Sequence, residues 1–106
     1  MKVNMNVNWK SLFKRIPVSI QLTRTIKYVI TWTRSDPSLD HIGRTHTDTK
    51  QIVVNMDLKP KMAVHTYIHE VIHAISEEYE VGLTEKQVLA LEKALYFILK
   101  KGNLFK

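Results

Sequence analysis

Thr66-Tyr67-Ile68-His69-Glu70-Val71-Ile72-His73-Ala74 lies on the strongest helical pattern of the chain. Within it lies an H-E-x-x-H pattern, His69 to His73. On a helix, residues four apart share one face and sit about one turn from each other. Two imidazoles in that relation can bind one metal ion, and Glu70 beside them can act on a water held there. The surrounding pattern is helical. Val64, Ile68, Val71, Ile72 and Ile75 form one apolar stripe, with His65, His69 and His73 on an adjacent face. Pro60 suits the first turn of a helix, and the spacing predicts a helix from about Lys61 to about Tyr79.

Working outward toward the C-terminus, Glu80-Val81-Gly82-Leu83 reads as a short break, with Gly82 as the stop signal. Thr84 and Gln87 have the spacing of a capping box. They open a last helix, Glu85 to about Lys101, with the apolar stripe Val88, Leu91, Leu95, Ile98 and Leu99. Gly102-Asn103 closes it. Toward the N-terminus, Asp57-Leu58-Lys59-Pro60 is a turn and Gln51 to Met56 a strand, read as an edge-strand candidate. Lys27 to Arg34 and the alternating Val18 to Leu22 read as two further strands, joined as a hairpin through Thr23 to Ile26. Ser35 to Arg44 reads as a loop and His46 to Lys50 as a polar lead-in. His41 and His46 are read as solvated loop histidines, with a metal-ligand role as the alternative. Asn8 caps a short helix to Ile16 that carries Trp9, Leu12, Phe13 and Ile16 on one face. The expected architecture is α+β: one domain over residues 1–106, with a small antiparallel or mixed sheet of about three strands and helices on one face.

The bulk properties narrow the chemistry. A chain of 106 residues, 44% hydrophobic and 25% charged, has the composition of a soluble globular domain with one core. No apolar run is long enough to span a bilayer, and Met1 to Lys10 lacks the apolar core of a signal peptide. A reducing cytoplasmic setting is expected, because there is no cysteine. The same absence excludes thiolate metal sites, so metal ligands must be His, Asp or Glu. The net charge of +6 is spread along the chain rather than gathered into a stripe. Nucleic acid is therefore a secondary expectation as partner, behind a peptide or protein.

A catalytic zinc takes three protein ligands and leaves one position open. His69 and His73 supply two. Glu85 and Glu92 are the candidates for the third, seven residues apart on one face of the last helix. Spacing leaves both open. Glu70 is the expected general base, taking a proton from water as it attacks a carbonyl and passing it to the leaving amine. His65, one turn before His69, is either a surface histidine or a group of the site, supporting a ligand or donating to the transition state. Glu77 is either solvated or a hydrogen-bond partner of His73. Tyr67 and Tyr79 are read as packing residues, with an oxyanion role as the alternative. The strand Gln51 to Met56 is expected to pair with an extended peptide at its edge.

The segment from Gly43 to Lys101 resembles small zincin-type metallopeptidase-like proteins of bacteriophages and mobile elements, similar in outline to the ImmA/IrrE-like peptidases. The residues that carry the likeness are Gln51-Ile52-Val53-Val54, then Thr66 to Ala74, then Leu83-Thr84-Glu85-Lys86-Gln87-Val88-Leu89-Ala90-Leu91-Glu92. The resemblance implies a zincin fold, zinc held by His69 and His73, and a catalytic Glu70. It ranks Glu85 first as third ligand, because a Glu opening the second helix with apolar residues three and six positions on recurs in such proteins. Glu92 ranks second. The expected function is zinc-dependent peptide-bond hydrolysis in a host cytoplasm. The alternatives are a zincin-like binding module that cleaves nothing and a basic nucleic-acid-associated protein.

Overall fold

The computed structural model describes residues 9–34 and 42–102. Asn8, the Asp36-Pro37 turn, Asp40, His41 and Asn103 lie outside them. The elements in order are α1 (Trp9–Lys14), β1 (Ser19–Gln21), β2 (Lys27–Thr33), β3 (Gly43–His46), β4 (Gln51–Asn55), α2 (Pro60–Glu78) and α3 (Glu85–Lys101). The fold is α+β with a four-stranded mixed sheet in the order β1-β2-β4-β3. β1 pairs antiparallel with β2, β2 runs parallel to β4, and β3 pairs antiparallel with β4.

Two expectations are corrected by this topology. The sheet has four strands rather than about three, because Gly43–His46, read as loop and lead-in, forms β3. The strand at Gln51–Asn55 is not an edge. It is hydrogen-bonded on both sides, to β2 and to β3, so it has no free backbone for a peptide. Among the described residues, the edge on that side of the sheet is β3.

Alternation decides what the sheet buries. Tyr28 and Ile30 of β2 and Ile52 and Val54 of β4 turn to one face and form a core with Ala63 and Ala74 of α2. Val29, on the opposite face, is half exposed. The β1–β2 turn lacks a strong turn dipeptide because Thr23 replaces one. Its Oγ1 accepts from the main-chain N–H of Thr25 and of Ile26.

α2 starts with Pro60 in its first turn, where a missing N–H costs nothing. Its second buried face, Val64, Ile68 and Ile72, packs on Val88 and Tyr96 of α3. α3 begins with the complete capping box: Thr84 Oγ1 accepts from the Gln87 N–H, and the Gln87 side chain accepts from the Thr84 N–H. It ends at Gly102 in the left-handed region, φ 68°. α2 does not end as expected. Its stop is Glu80, φ 53°, rather than Gly82. The Val81 N–H donates to Ser76 O and the Glu80 N–H to Glu77 O, the pair of bonds that closes a helix end over a left-handed residue.

Candidate metal centre

His69 and His73 stand on successive turns of α2, and their Nε2 atoms face each other at 3.2 Å. Glu85, in the first turn of α3, lies across both. One carboxylate oxygen is 2.9 Å from His69 Nε2 and the other 3.0 Å from His73 Nε2. α3 returns antiparallel to α2, as the pairing shows. Glu85 meets His69 and His73, whereas Glu92, two turns further on, meets His69 and His65. Glu92 Oε1 is 2.8 Å from His69 Nδ1 and Oε2 is 2.9 Å from His65 Nδ1. The two carboxylates that spacing left as alternatives thus grip opposite nitrogens of the same ring.

The donor chemistry of this cluster fits a metal ion. A carboxylate only accepts, so the Nδ1 of His69 carries a proton toward Glu92; its Nε2 donates a second proton to Glu85 in the charged ring and presents a lone pair in the neutral one. That lone pair, His73 Nε2 and the Glu85 oxygens converge within 4.8 Å of one another. Atoms brought this close are held together by a cation between them or by protons on the two rings. Ligands about 2.05 Å from a tetrahedral zinc lie about 3.3 Å apart, close to the 2.9–3.2 Å observed. His69, His73 and Glu85 therefore suit zinc, with Glu92 holding His69 from behind.

Glu70 is nearly buried, at 9% exposure, between α2 and β3. Thr45 Oγ1 lies 2.7 Å from Glu70 Oε1 and 2.9 Å from its main-chain O. With one proton, the hydroxyl donates to one of them at a time. Gly43 makes this approach possible. A Cβ there would collide with Thr66 Cγ2 and stand 3.0 Å from Val53 O and 3.4 Å from Glu70 Cγ. Neither Gly43 nor Thr45 was found from the sequence. The only signal was a glycine in a polar stretch.

Two hollows meet over this centre. One, of about 480 Å³, is lined by Thr45, Thr47, His69, Glu70, His73, Glu77 and Glu85 together with Gly43 and Arg44. The other, of about 460 Å³, is lined by His65, His69, Glu70 and Glu92 with Ile42, Gly43, Met62, Thr66 and Leu89. Gly43, His69 and Glu70 border both, so together they make a groove running along β3. The main chain of β3 faces it. Asn55 N–H donates to Ile42 O, and Arg44 and His46 stand opposite Val53 and Gln51. By antiparallel alternation, residues 42, 44 and 46 turn their backbone groups to β4, and Gly43 and Thr45 turn theirs to the open edge.

The remaining candidates are placed elsewhere. Glu77 lines the larger hollow without a hydrogen bond to His73 among the described residues. Tyr67 is packed between the two cores, and burial raises its phenol above the ordinary range. The Tyr79 hydroxyl donates to Leu22 O. His46 lies on β3 opposite Gln51, away from the cluster. Comparison with protein-family models, with curated proteins and with solved structures found no match. Among the described residues, no helix is long and apolar enough to cross a membrane.

Proposed function

We propose that this protein is a zincin-like, zinc-dependent peptidase, with His69, His73 and Glu85 as ligands and Glu70 as general base. The observation that carries the reading is the convergence of three acceptors from two helices beside a nearly buried carboxylate at the meeting point of two hollows. When bound, zinc lowers the pKa of a coordinated water toward about 7 and polarises a carbonyl. The chain's own residues do the rest. Glu70 accepts a proton at its carboxylate and delivers it to the leaving amine. Thr45 holds one Glu70 oxygen in place, leaving the other for the proton. Glu92 fixes the His69 ring so that Nε2 faces the site. The open backbone of Gly43 and Thr45 pairs with an extended peptide, which lays a carbonyl over Glu70.

The test is zinc-loaded protein incubated with a proteome-derived peptide library and read by mass spectrometry. Wild type is expected to generate new peptide termini. Glu70→Gln is expected to bind zinc with unchanged stoichiometry and generate none. Equal cleavage by both, or none by zinc-loaded wild type, contradicts the proposal.

A further inference from the structure

His65 is held more firmly than a surface histidine needs to be. Its Nδ1 is 2.9 Å from Glu92 Oε2. One face of its ring stacks on Tyr96, with centroids 3.9 Å apart and planes 26° from parallel. Glu92 can only accept, so Nδ1 carries a proton, which leaves Nε2 as the accepting nitrogen in the ring's neutral form. That Nε2 has no hydrogen-bond partner among the described residues. It is also not among the buried polar atoms that lack one, so it is open. The ring lines the smaller hollow beside His69 and Glu70. The fold has thus fixed the orientation of an imidazole and left one accepting nitrogen free in the groove.

The edge strand says which part of a peptide lies there. β3 runs from Gly43, next to Ile42 in the His65 hollow, through Thr45 to His46, with Thr47 beyond it at the Glu77 end. Antiparallel pairing is the commoner mode, and a peptide added that way runs from the Thr47 end toward Ile42. The residues after the scissile bond, and the amine that forms there, then lie in the hollow that His65 lines. We propose that His65 is a catalytic residue whose Nε2 accepts a hydrogen bond from the N–H of the leaving amine, with Glu92 and Tyr96 holding the ring for that contact. The proposal rests on the peptidase reading and adds to it the residue that receives the amine.

Two amides separate the functions of the two ring nitrogens. His65→Asn keeps a donor where Nδ1 meets Glu92 and removes the acceptor at Nε2. His65→Gln places an acceptor near Nε2 and removes the donor. Cleavage of the library peptide that wild type cuts fastest is measured alongside zinc affinity by chelator competition. The expected result is a kcat for His65→Asn about tenfold below wild type, the size of one lost hydrogen bond, with zinc affinity unchanged, and a substantial recovery of kcat in His65→Gln. Unchanged kcat in His65→Asn overturns the proposal. So does a parallel loss of zinc affinity in His65→Asn, which would place the role in supporting Glu92. Zinc-loaded wild type that cuts nothing removes the peptidase reading and this residue's part in it together, an outcome distinct from an active wild type that ignores the substitution.

Discussion

Among the described residues, two that are not glycine adopt the left-handed backbone, and they are kept there for different reasons. Glu80, φ 53°, closes α2 and makes no side-chain bond among the described residues. The left-handed region costs an L-residue roughly 1–2 kcal/mol, of which glycine's greater freedom in the unfolded chain offsets part. Glu80→Gly is therefore expected to stabilise the fold by up to about 1 kcal/mol, read as a rise in urea midpoint at unchanged slope. Lys50, φ 57°, carries an ammonium 2.6 Å from Glu78, so Lys50→Gly should not stabilise. Gly43 is the reverse case, a glycine required by contact rather than by φ. Gly43→Ala is expected to cost about 1–3 kcal/mol as the strand is pushed off Thr66, and to slow catalysis by drawing Thr45 away from Glu70. Measured stability and kcat falling together would support this; an unchanged urea midpoint would refute it. These residues mark the limit of what the sequence showed. H-E-x-x-H is a local pattern, so His69, Glu70 and His73 were legible. Thr45 reaches Glu70 across 25 positions of chain, a closeness that only the folded sheet creates.

Among the elements, α2 is tied to the sheet at its C-terminal end by one partly buried network. The Tyr28 hydroxyl and the Lys50 ammonium both donate to Glu78 Oε2, each at 2.6 Å. The hydrogen bond from Lys50, then that from Tyr28, holds the Glu78 carboxyl below its ordinary value of 4.5. A carboxyl lowered in the folded state stabilises the fold fully above its unfolded value, and that contribution is lost as pH falls through the folded one. The melting temperature of Lys50→Met should therefore lie below that of wild type at neutral pH and converge with it in acid below the ordinary carboxylate range. A constant difference across the acid limb would refute the linkage. Burial, aided by the bond to Glu78, raises the Tyr28 phenol above its ordinary 10.0, so its contribution is complete below that pH and fades as pH rises beyond it. The helices were legible because their apolar stripes and caps are periodic and local. β3 was not. Gly43-Arg44-Thr45-His46 has no apolar alternation, because one neighbour strand and one helix contact decide its conformation. Its absence from the reading made β4 look like an edge.

At the scale of the molecule, α2 lies between the sheet on one side and α3 on the other, and only the folded chain brings Glu85 to His69 and His73. The α+β class followed from the order of elements, and the return of α3 along α2 followed from the short connection between them. Which nitrogen each carboxylate meets depends on the register of two packed helices, and that is set by Val64, Ile68 and Ile72 against Val88 and Tyr96. A ligand that binds only the folded state stabilises it. Zinc at a hundredfold its dissociation constant should add about 2.7 kcal/mol and raise the melting temperature by on the order of 10 °C. Glu92→Gln should weaken zinc binding about 10- to 100-fold without abolishing it, because it removes the support behind His69 rather than a ligand. His69, His73 and Glu85 are the proposed ligands, and a ligand set is tested by stoichiometry. The most direct measurement is zinc per chain after equilibration at limiting free zinc, for wild type and Glu85→Ala with folding checked by circular dichroism. One zinc per wild-type chain is expected, and none in folded Glu85→Ala. No zinc in wild type, or one zinc retained by Glu85→Ala, would contradict that ligand set.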